Sequence, residues 1–208
     1  MGKNHVGGLR VAVVGLVIIA LNTLALQAVR MFEVLNFAEF AYIGVMILAW
    51  IIIFLGTNSI RKYSPCFRRV NFLSMIMIII VIIEVFLALR NYKNNMGNQI
   101  FIDFSVMFMN YLTILGMFYA YYKLLQGVAF LAKQNQGIKT ALKCEKKGIG
   151  SFVIIIFCYI LIPVSGMFSI YTEYIATSVL GLIALGIQLN LCMLLLAGFD
   201  VLRGRKKE

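Results

Sequence analysis

The chain alternates between long apolar blocks and short polar segments. Six blocks of about 18 to 26 residues are almost free of charge, and the third contains the run SMIMIIIVIIEVFLAL. A helix needs roughly 20 apolar residues to cross a bilayer, whereas a strand of a membrane barrel needs about 10. The pattern therefore predicts six transmembrane helices, at residues 11–29, 38–57, 72–89, 100–122, 149–170 and 174–199.

The composition indicates the same class of protein. Hydrophobic residues make up 62% of the chain and charged residues only 13%, whereas a soluble domain carries about 25% charged residues. A soluble globular domain is therefore excluded, and the short connections leave no room for an aqueous domain. The expected fold is all-α, a polytopic membrane helix bundle in which residues 1–208 form a single transmembrane domain.

Lysine and arginine are distributed unevenly between the two sides of the expected bundle. Sixteen of the nineteen lie in the N-terminal tail, the second and fourth connections or the C-terminal tail, and only Arg30, Arg90 and Lys93 fall on the other side. Because basic segments stay in the cytoplasm during insertion, both termini are expected there, in a bacterial cytoplasmic membrane. This topology, with contacts to the anionic lipid headgroups of the bilayer, explains the net charge of +11. No nucleic-acid partner is expected.

Glu84 is the clearest ionisable residue within an expected span. Its helical neighbours are apolar, so its carboxyl group needs a partner from another helix or from water. One hypothesis places Glu84 in an outward-open polar cavity as a proton, cation or substrate contact. The other pairs it with a basic residue and treats nearby amides as interhelical hydrogen bonds. The candidate polar site consists of Glu84, Glu39, Asp103, Asn22, Asn110 and Gln188, and the candidate ion-pair partners are Arg30, Arg90 and Lys93.

The connection between the fourth and fifth spans, residues 123–148, is the longest and most basic. Apolar residues recur at helical spacing after Lys123, which predicts an amphipathic helical extension along the cytoplasmic interface. The connection carries six basic residues and one acidic residue, Glu145. It is interpreted either as a docking site for a membrane-protein partner or as a helix resting on lipid headgroups. The candidate contacts are Lys133, Lys139, Lys143, Lys146 and Lys147.

Motifs that indicate catalysis are missing from the sequence. The single histidine, His5, lies in the N-terminal tail, so the spans offer no imidazole for a nucleophilic centre, a haem or a zinc site. No phosphate-binding G-x-x-x-x-G-K-[ST] loop is present. Cys66 and Cys144 lie in cytoplasmic connections and Cys158 and Cys192 within spans, as expected for reduced thiols. No cofactor and no metal site are expected.

These observations favour an accessory or regulatory subunit of a membrane complex, whose basic loops dock a larger partner. The first alternative is a small transporter or substrate-capture protein with an outward-facing polar site around Glu84. The second is a membrane enzyme acting on lipid, which would have to use Glu84 with Glu39 or Asp103. A stably co-purifying protein would favour the accessory subunit, whereas a bound small molecule or lipid would favour the transporter.

Overall fold

Six α-helices and one short turn account for the described residues. In the computed structural model the helices are α1 (Asn4–Met31), α2 (Leu35–Ile60), α3 (Pro65–Lys93), α4 (Gln99–Gln134), α5 (Ile138–Gly166) and α6 (Ile170–Leu202). The structure describes residues 4–31, 35–93, 99–134, 138–166 and 170–202. It describes most of their side chains, but not those at residues 4–6, 24, 26–40, 88–111, 159–160, 162–163, 165–174, 177 and 199–202. The prediction of an all-α bundle is confirmed.

Five of the six expected spans lie within one helix each, and the helices are longer than the spans. The longest, α4, has 36 residues and is about 54 Å long at 1.5 Å per residue, well beyond the roughly 30 Å of a hydrocarbon core. The fifth span is expected to reach residue 170, but α5 ends at Gly166 and Ile170 begins α6.

Several helices have the length and apolar surface that a membrane requires. Large apolar side chains are exposed along them, including Leu48 (60% exposed), Phe86 (67%) and Met193 (70%). Extensive apolar surface is unfavourable in water, so the bundle is suited to lipid. Four stretches among the described residues are long and apolar enough to cross a membrane: Ala41–Ile60, Pro65–Leu87, Leu112–Gln134 and Ser178–Gly198. The shorter apolar stretch Gly7–Thr23 lies in α1. The count of six spans and their orientation stay predictions.

The turn between α2 and α3 has a clear local origin. The Ser64 hydroxyl accepts a hydrogen bond from the Cys66 amide at 3.2 Å, as a residue capping a helix N-terminus does. Pro65 occupies the first helical position, where its missing N–H costs nothing. The Tyr63 amide donates to the Ile60 carbonyl at 3.0 Å and closes the turn. So short a connection makes α2 and α3 antiparallel neighbours.

The helices form a closed ring. Helices adjacent in the sequence pack together, α1 contacts α6, and α4 also contacts α6 across the ring. Alternating directions bring the starts of α1, α3 and α5 and the ends of α2, α4 and α6 to one end, here called the basic end. The close approaches that define it are Gly8 to Gly56, Phe67 to Gly127, Leu125 to Gly148 and Val128 to Gly198.

Toward the basic end, α4 is enclosed by its neighbours. Gly127 lies against Phe67 of α3, Leu125 against Gly148 of α5, and Val128 against α6. The helix continues past residue 123 to Gln134, as the apolar spacing predicts. Apart from Phe130, which is 45% exposed, its apolar side chains are covered by other helices: Leu124, Leu125, Val128, Leu131 and Ala132 are all at most 5% exposed. Their partners come from distant parts of the sequence, which the local spacing does not reveal.

The α1–α2 pair is held at very short range by glycines. A Cβ atom added to Gly56 would lie 2.5 Å from the Ala12 backbone nitrogen and 2.6 Å from the Gly8 carbonyl oxygen. A Cβ atom on Gly15 would lie 2.8 Å from the carbonyl oxygen of Ala49. Small residues allow membrane helices to approach this closely and to gain backbone-to-backbone van der Waals contact. This set, Gly8, Ala12, Gly15 and Gly56, is called the glycine seam below.

Candidate functional site

The buried face of α3 leads to Glu84. Met77 lies against Gly116 of α4. The two helices are antiparallel, so Glu84, seven residues after Met77, is level with residue 109 of α4, seven residues before Gly116. Glu84 is only 4% exposed. Residues spaced by three or four share a helix face, and this face also carries the buried residues Phe67, Val70, Ser74, Met77 and Val81. Glu84 therefore points into the bundle.

Glu84 is not an isolated carboxyl group, since it takes part in an interaction within the protein. The expectation that its partner comes from another helix or from water stays a prediction. The side chains of the remaining outer candidates, Arg30, Glu39, Arg90, Lys93, Asp103 and Asn110, lie outside the described residues, although α1, α2, α3 and α4 carry their backbone. The choice between an ion pair and an open polar cavity stays a hypothesis.

Asn22 has a structural role in the α1–α2 pair. Its side-chain amide donates a hydrogen bond to the Tyr42 carbonyl of α2 at 2.9 Å. This bond lies at the end of the pair farther from the glycine seam. Asn22 therefore forms an interhelical hydrogen bond, as the ion-pair hypothesis for Glu84 expects of the nearby amides.

Gln188 lies in the interior of the bundle with an unsatisfied acceptor. It is 2% exposed, and its Oε1 atom has no hydrogen-bond partner in the described part of the chain. One turn further along α6, the Cys192 thiol lies 3.4 Å from the Tyr121 hydroxyl of α4. Gln188 is therefore on the side of α6 that faces the bundle. A buried acceptor without a partner is costly, which makes this residue available to a ligand with a donor group.

The sequence analysis missed a second unsatisfied group, Trp50 of α2. The only tryptophan in the chain is fully buried, and its indole N–H has no acceptor among the described residues. A tryptophan within an apolar block is usually interpreted as core packing, so the sequence does not indicate that the indole N–H lacks an acceptor. Trp50 and Gln188 provide one donor and one acceptor inside the ring.

Asn71 joins α2 and α3 and was also missed. Its side-chain amide donates to the Phe54 carbonyl at 3.0 Å and to the Thr57 hydroxyl at 3.2 Å. The Thr57 hydroxyl in turn donates to the Ile53 carbonyl at 2.8 Å. Asn71 lies one residue before the expected third span. It was therefore not considered as a contact between two helices.

The start of α5 presents three different faces at the basic end. Thr140, Ala141 and Cys144 are buried against the bundle. An exposed apolar strip lies beside this face and consists of Ile138 (63% exposed), Leu142 (48%) and Ile149 (57%). Around the circumference of the helix, at 100° per residue, the neighbouring face is an exposed lysine strip that consists of Lys139, Lys143, Lys146 and Lys147.

Most of the candidate lysines on this segment are unpaired. Lys133 of α4 forms an exposed salt bridge with Glu145 of α5, with 2.7 Å between Nζ and Oε1. Among the described residues, none of the four lysines of the lysine strip has an acidic partner. The exposed Lys133–Glu145 pair contributes little stability. The positive charge of the lysine strip is therefore free to attract anionic groups outside the bundle.

The cysteines near the basic end differ in exposure. Cys66 is half-buried, whereas Cys144 is buried, and both are free thiols. Burial and, secondarily, the neighbouring Glu145 carboxylate raise the pKa of the Cys144 thiol to about 11. Cys144 is therefore a packing residue rather than a nucleophile. Within the part of the chain that the structure describes, no group of three His, Cys, Asp or Glu residues is placed to hold a metal ion.

Comparison with known proteins gives this chain no relative. No protein-family model, no curated protein and no solved structure matches it. The features of the molecule that bear on its function are therefore the faces of α5, the interior groups Trp50, Glu84 and Gln188, and the surface of the bundle.

Proposed function

We propose that this protein is an accessory subunit of a membrane complex, in a bacterial cytoplasmic membrane, with its basic end in the cytosol. The start of α5 docks the larger partner. One observation carries this proposal: an exposed apolar strip and an exposed lysine strip lie side by side on the same helical segment. Such a surface fits a partner with an apolar patch bordered by acidic residues.

The position of the apolar strip favours a protein over the lipid surface. α5 is one unbroken helix from Ile138 to Gly166, and its expected span begins at Ile149. At 1.5 Å per residue, Ile138 lies about 16 Å along the helix before Ile149. An unbroken helix that crosses the bilayer does not also lie flat on its surface. The exposed side chains of Ile138 and Leu142 are therefore best covered by another protein.

Site-specific photo-crosslinking in native cells tests this docking face. A photoreactive amino acid at Leu142, within the apolar strip, is expected to give a protein adduct of defined mass. The control carries the same group at Lys62, an exposed position on the α2–α3 turn that lies outside the docking face. The double variant Lys139→Glu and Lys143→Glu should abolish the Leu142 adduct, because it reverses the charge that attracts an acidic partner. Lipid-sized adducts alone, or equal protein adducts from both positions, would contradict the proposal.

The accessory role has its own test once the adduct identifies the partner. Deletion of this chain should lower the abundance or the activity of that partner, and the double charge reversal should reproduce the loss. The single variant Lys62→Glu, which changes an exposed lysine on the α2–α3 turn, should leave the partner unaffected. A partner whose abundance and activity do not respond to the deletion would show binding without an accessory role.

A second candidate function is small-molecule capture within the bundle, supported by the unsatisfied Gln188 acceptor and by the buried Glu84. Gentle purification followed by solvent extraction should then recover a bound small molecule from the wild-type chain. Gln188→Leu should lose that molecule. Asn190→Leu, which removes an exposed amide from the same helix, should retain it. Equal recovery from both variants would exclude Gln188 as the contact.

A further inference from the structure

The outer surface between α3 and α4 contains a groove with cations at one end and apolar walls. Its volume is about 520 Å³, and it is lined by Arg68, Arg69, Phe72, Leu73, Ile76 and Tyr119. Arg68 and Arg69 are exposed, and among the described residues neither guanidinium has an acidic partner. The groove is separate from the proposed docking face. It lies between α3 and α4, whereas the apolar and lysine strips are on α5.

A third cation stands beside the groove. The Lys123 ammonium lies 5.5 Å from the centre of the Tyr119 ring and 4.9 Å from that of Tyr122. It also donates to the Gln126 side-chain oxygen at 2.8 Å, and the Gln126 amide donates to the Tyr122 hydroxyl at 2.7 Å. These contacts hold Lys123 next to Tyr119, a wall of the groove. Lys123 therefore adds a third positive charge beside the groove, on its α4 side.

The arrangement of charge and apolar surface matches the shape of a phospholipid. Arg68 and Arg69 lie in the first turn of α3, at the start of the apolar stretch Pro65–Leu87. Phe72 and Ile76 follow at spacings of three and four residues and extend the groove about 12 Å along the helix from Arg68. A guanidinium binds phosphate oxygens through paired charge-assisted hydrogen bonds, while an acyl chain fits the apolar walls below it.

We infer that this groove is a binding site for one phospholipid with a net negative headgroup. Its phosphate lies between Arg68, Arg69 and Lys123, and an acyl chain lies along Phe72 and Ile76. A zwitterionic lipid with a choline headgroup binds less well, because its quaternary ammonium is repelled by three cations. The site is independent of the proposed docking face, so its test does not depend on that proposal.

Native mass spectrometry of the full-length chain in detergent measures this preference directly. Phosphatidylglycerol and phosphatidylcholine are added at equal concentrations, and the lipid retained by the protein is counted. The wild-type chain should retain phosphatidylglycerol preferentially. Arg68→Gln with Arg69→Gln should weaken that retention about 10- to 30-fold, as expected for the loss of two basic side chains at a membrane surface. Arg61→Gln with Lys62→Gln removes two exposed charges from the neighbouring turn and should change retention less than about 3-fold.

Two further variants test the walls of the groove with all cations present. Ile76→Trp fills the groove and should lower phosphatidylglycerol retention, whereas Ile79→Trp, at an exposed position that does not line it, should not. Equal losses in the two double charge variants would show that diffuse charge, rather than this groove, attracts the lipid. Equal retention of the two lipids by the wild-type chain would show that the headgroup is not recognised. Circular dichroism in the same detergent confirms that each variant is folded.

Discussion

The glycine seam makes a quantitative prediction about Gly56→Ala. The added Cβ atom would lie 2.5 Å from the Ala12 nitrogen, roughly 0.9 Å closer than an ordinary contact, and 2.6 Å from the Gly8 carbonyl oxygen. Both neighbours are backbone atoms, so no change of side-chain rotamer relieves the overlap. α1 and α2 must separate instead. Overpacking of this kind costs about 1–3 kcal/mol, and the lost backbone contact adds to that cost.

Gly44→Ala supplies the matched control in the same helix. Gly44 has nothing within 4 Å of an added Cβ atom, so this variant carries the gain in helix propensity, up to about 1 kcal/mol, without the overlap. The difference between the free energies of unfolding of the two variants isolates the steric cost. A difference of about 2 kcal/mol corresponds to a roughly 30-fold change in the ratio of unfolded to folded protein.

The assay is unfolding of the purified chain with increasing sodium dodecyl sulfate. Trp50 is the only tryptophan and is fully buried in α2, so its fluorescence reports the integrity of the bundle. Far-ultraviolet circular dichroism follows the helices in parallel. Gly56→Ala should unfold at a lower detergent fraction than Gly44→Ala. If the two variants have free energies of unfolding within about 0.5 kcal/mol of each other, the close α1–α2 packing described here is wrong.

Three further predictions concern single side chains. At pH 8 a maleimide should label Cys66 and spare Cys144. Burial raises the pKa of Cys144 to about 11, so only about one Cys144 thiol in a thousand is the reactive thiolate at this pH. Fast labelling that survives Cys66→Ser would contradict this prediction. Gln188→Leu removes a buried acceptor that has no partner among the described residues, so it should raise the free energy of unfolding, by about 1–3 kcal/mol, in the same detergent titration. Asn71→Ala removes the hydrogen bonds to Phe54 and Thr57 and should lower it by about 1 kcal/mol; an unchanged midpoint would show that these bonds do not hold α2 to α3.

The architecture could be predicted from the sequence because its signals are local. An apolar block of about 20 residues indicates a membrane helix whatever surrounds it. The inward direction of Glu84 was also accessible, because a carboxyl group among apolar neighbours is expected to face the bundle. These conclusions needed no knowledge of which helices touch.

The details of the site depend on contacts between distant residues. Gly56 is an unremarkable helical glycine until Ala12 is placed against it. The apolar spacing after Lys123 predicts a helix, but only the packing of Phe67 and Gly198 around α4 shows what covers it. The groove under Arg68 likewise needs Tyr119 from another helix to form its second wall. Local spacing describes one side of each contact, and the fold supplies the other.

The closed ring has a consequence for how the protein is made. The glycine seam joins two helices that are neighbours in the sequence, so the α1–α2 pair can pack before the later helices are made. α4 is different, because Val128 rests on Gly198 near the end of α6, and the α1–α6 contact that closes the ring also waits for that last helix. A chain released before α6 therefore leaves part of α4 and one side of α1 uncovered. Such an incomplete chain presents membrane quality-control proteases with a surface that the finished protein hides.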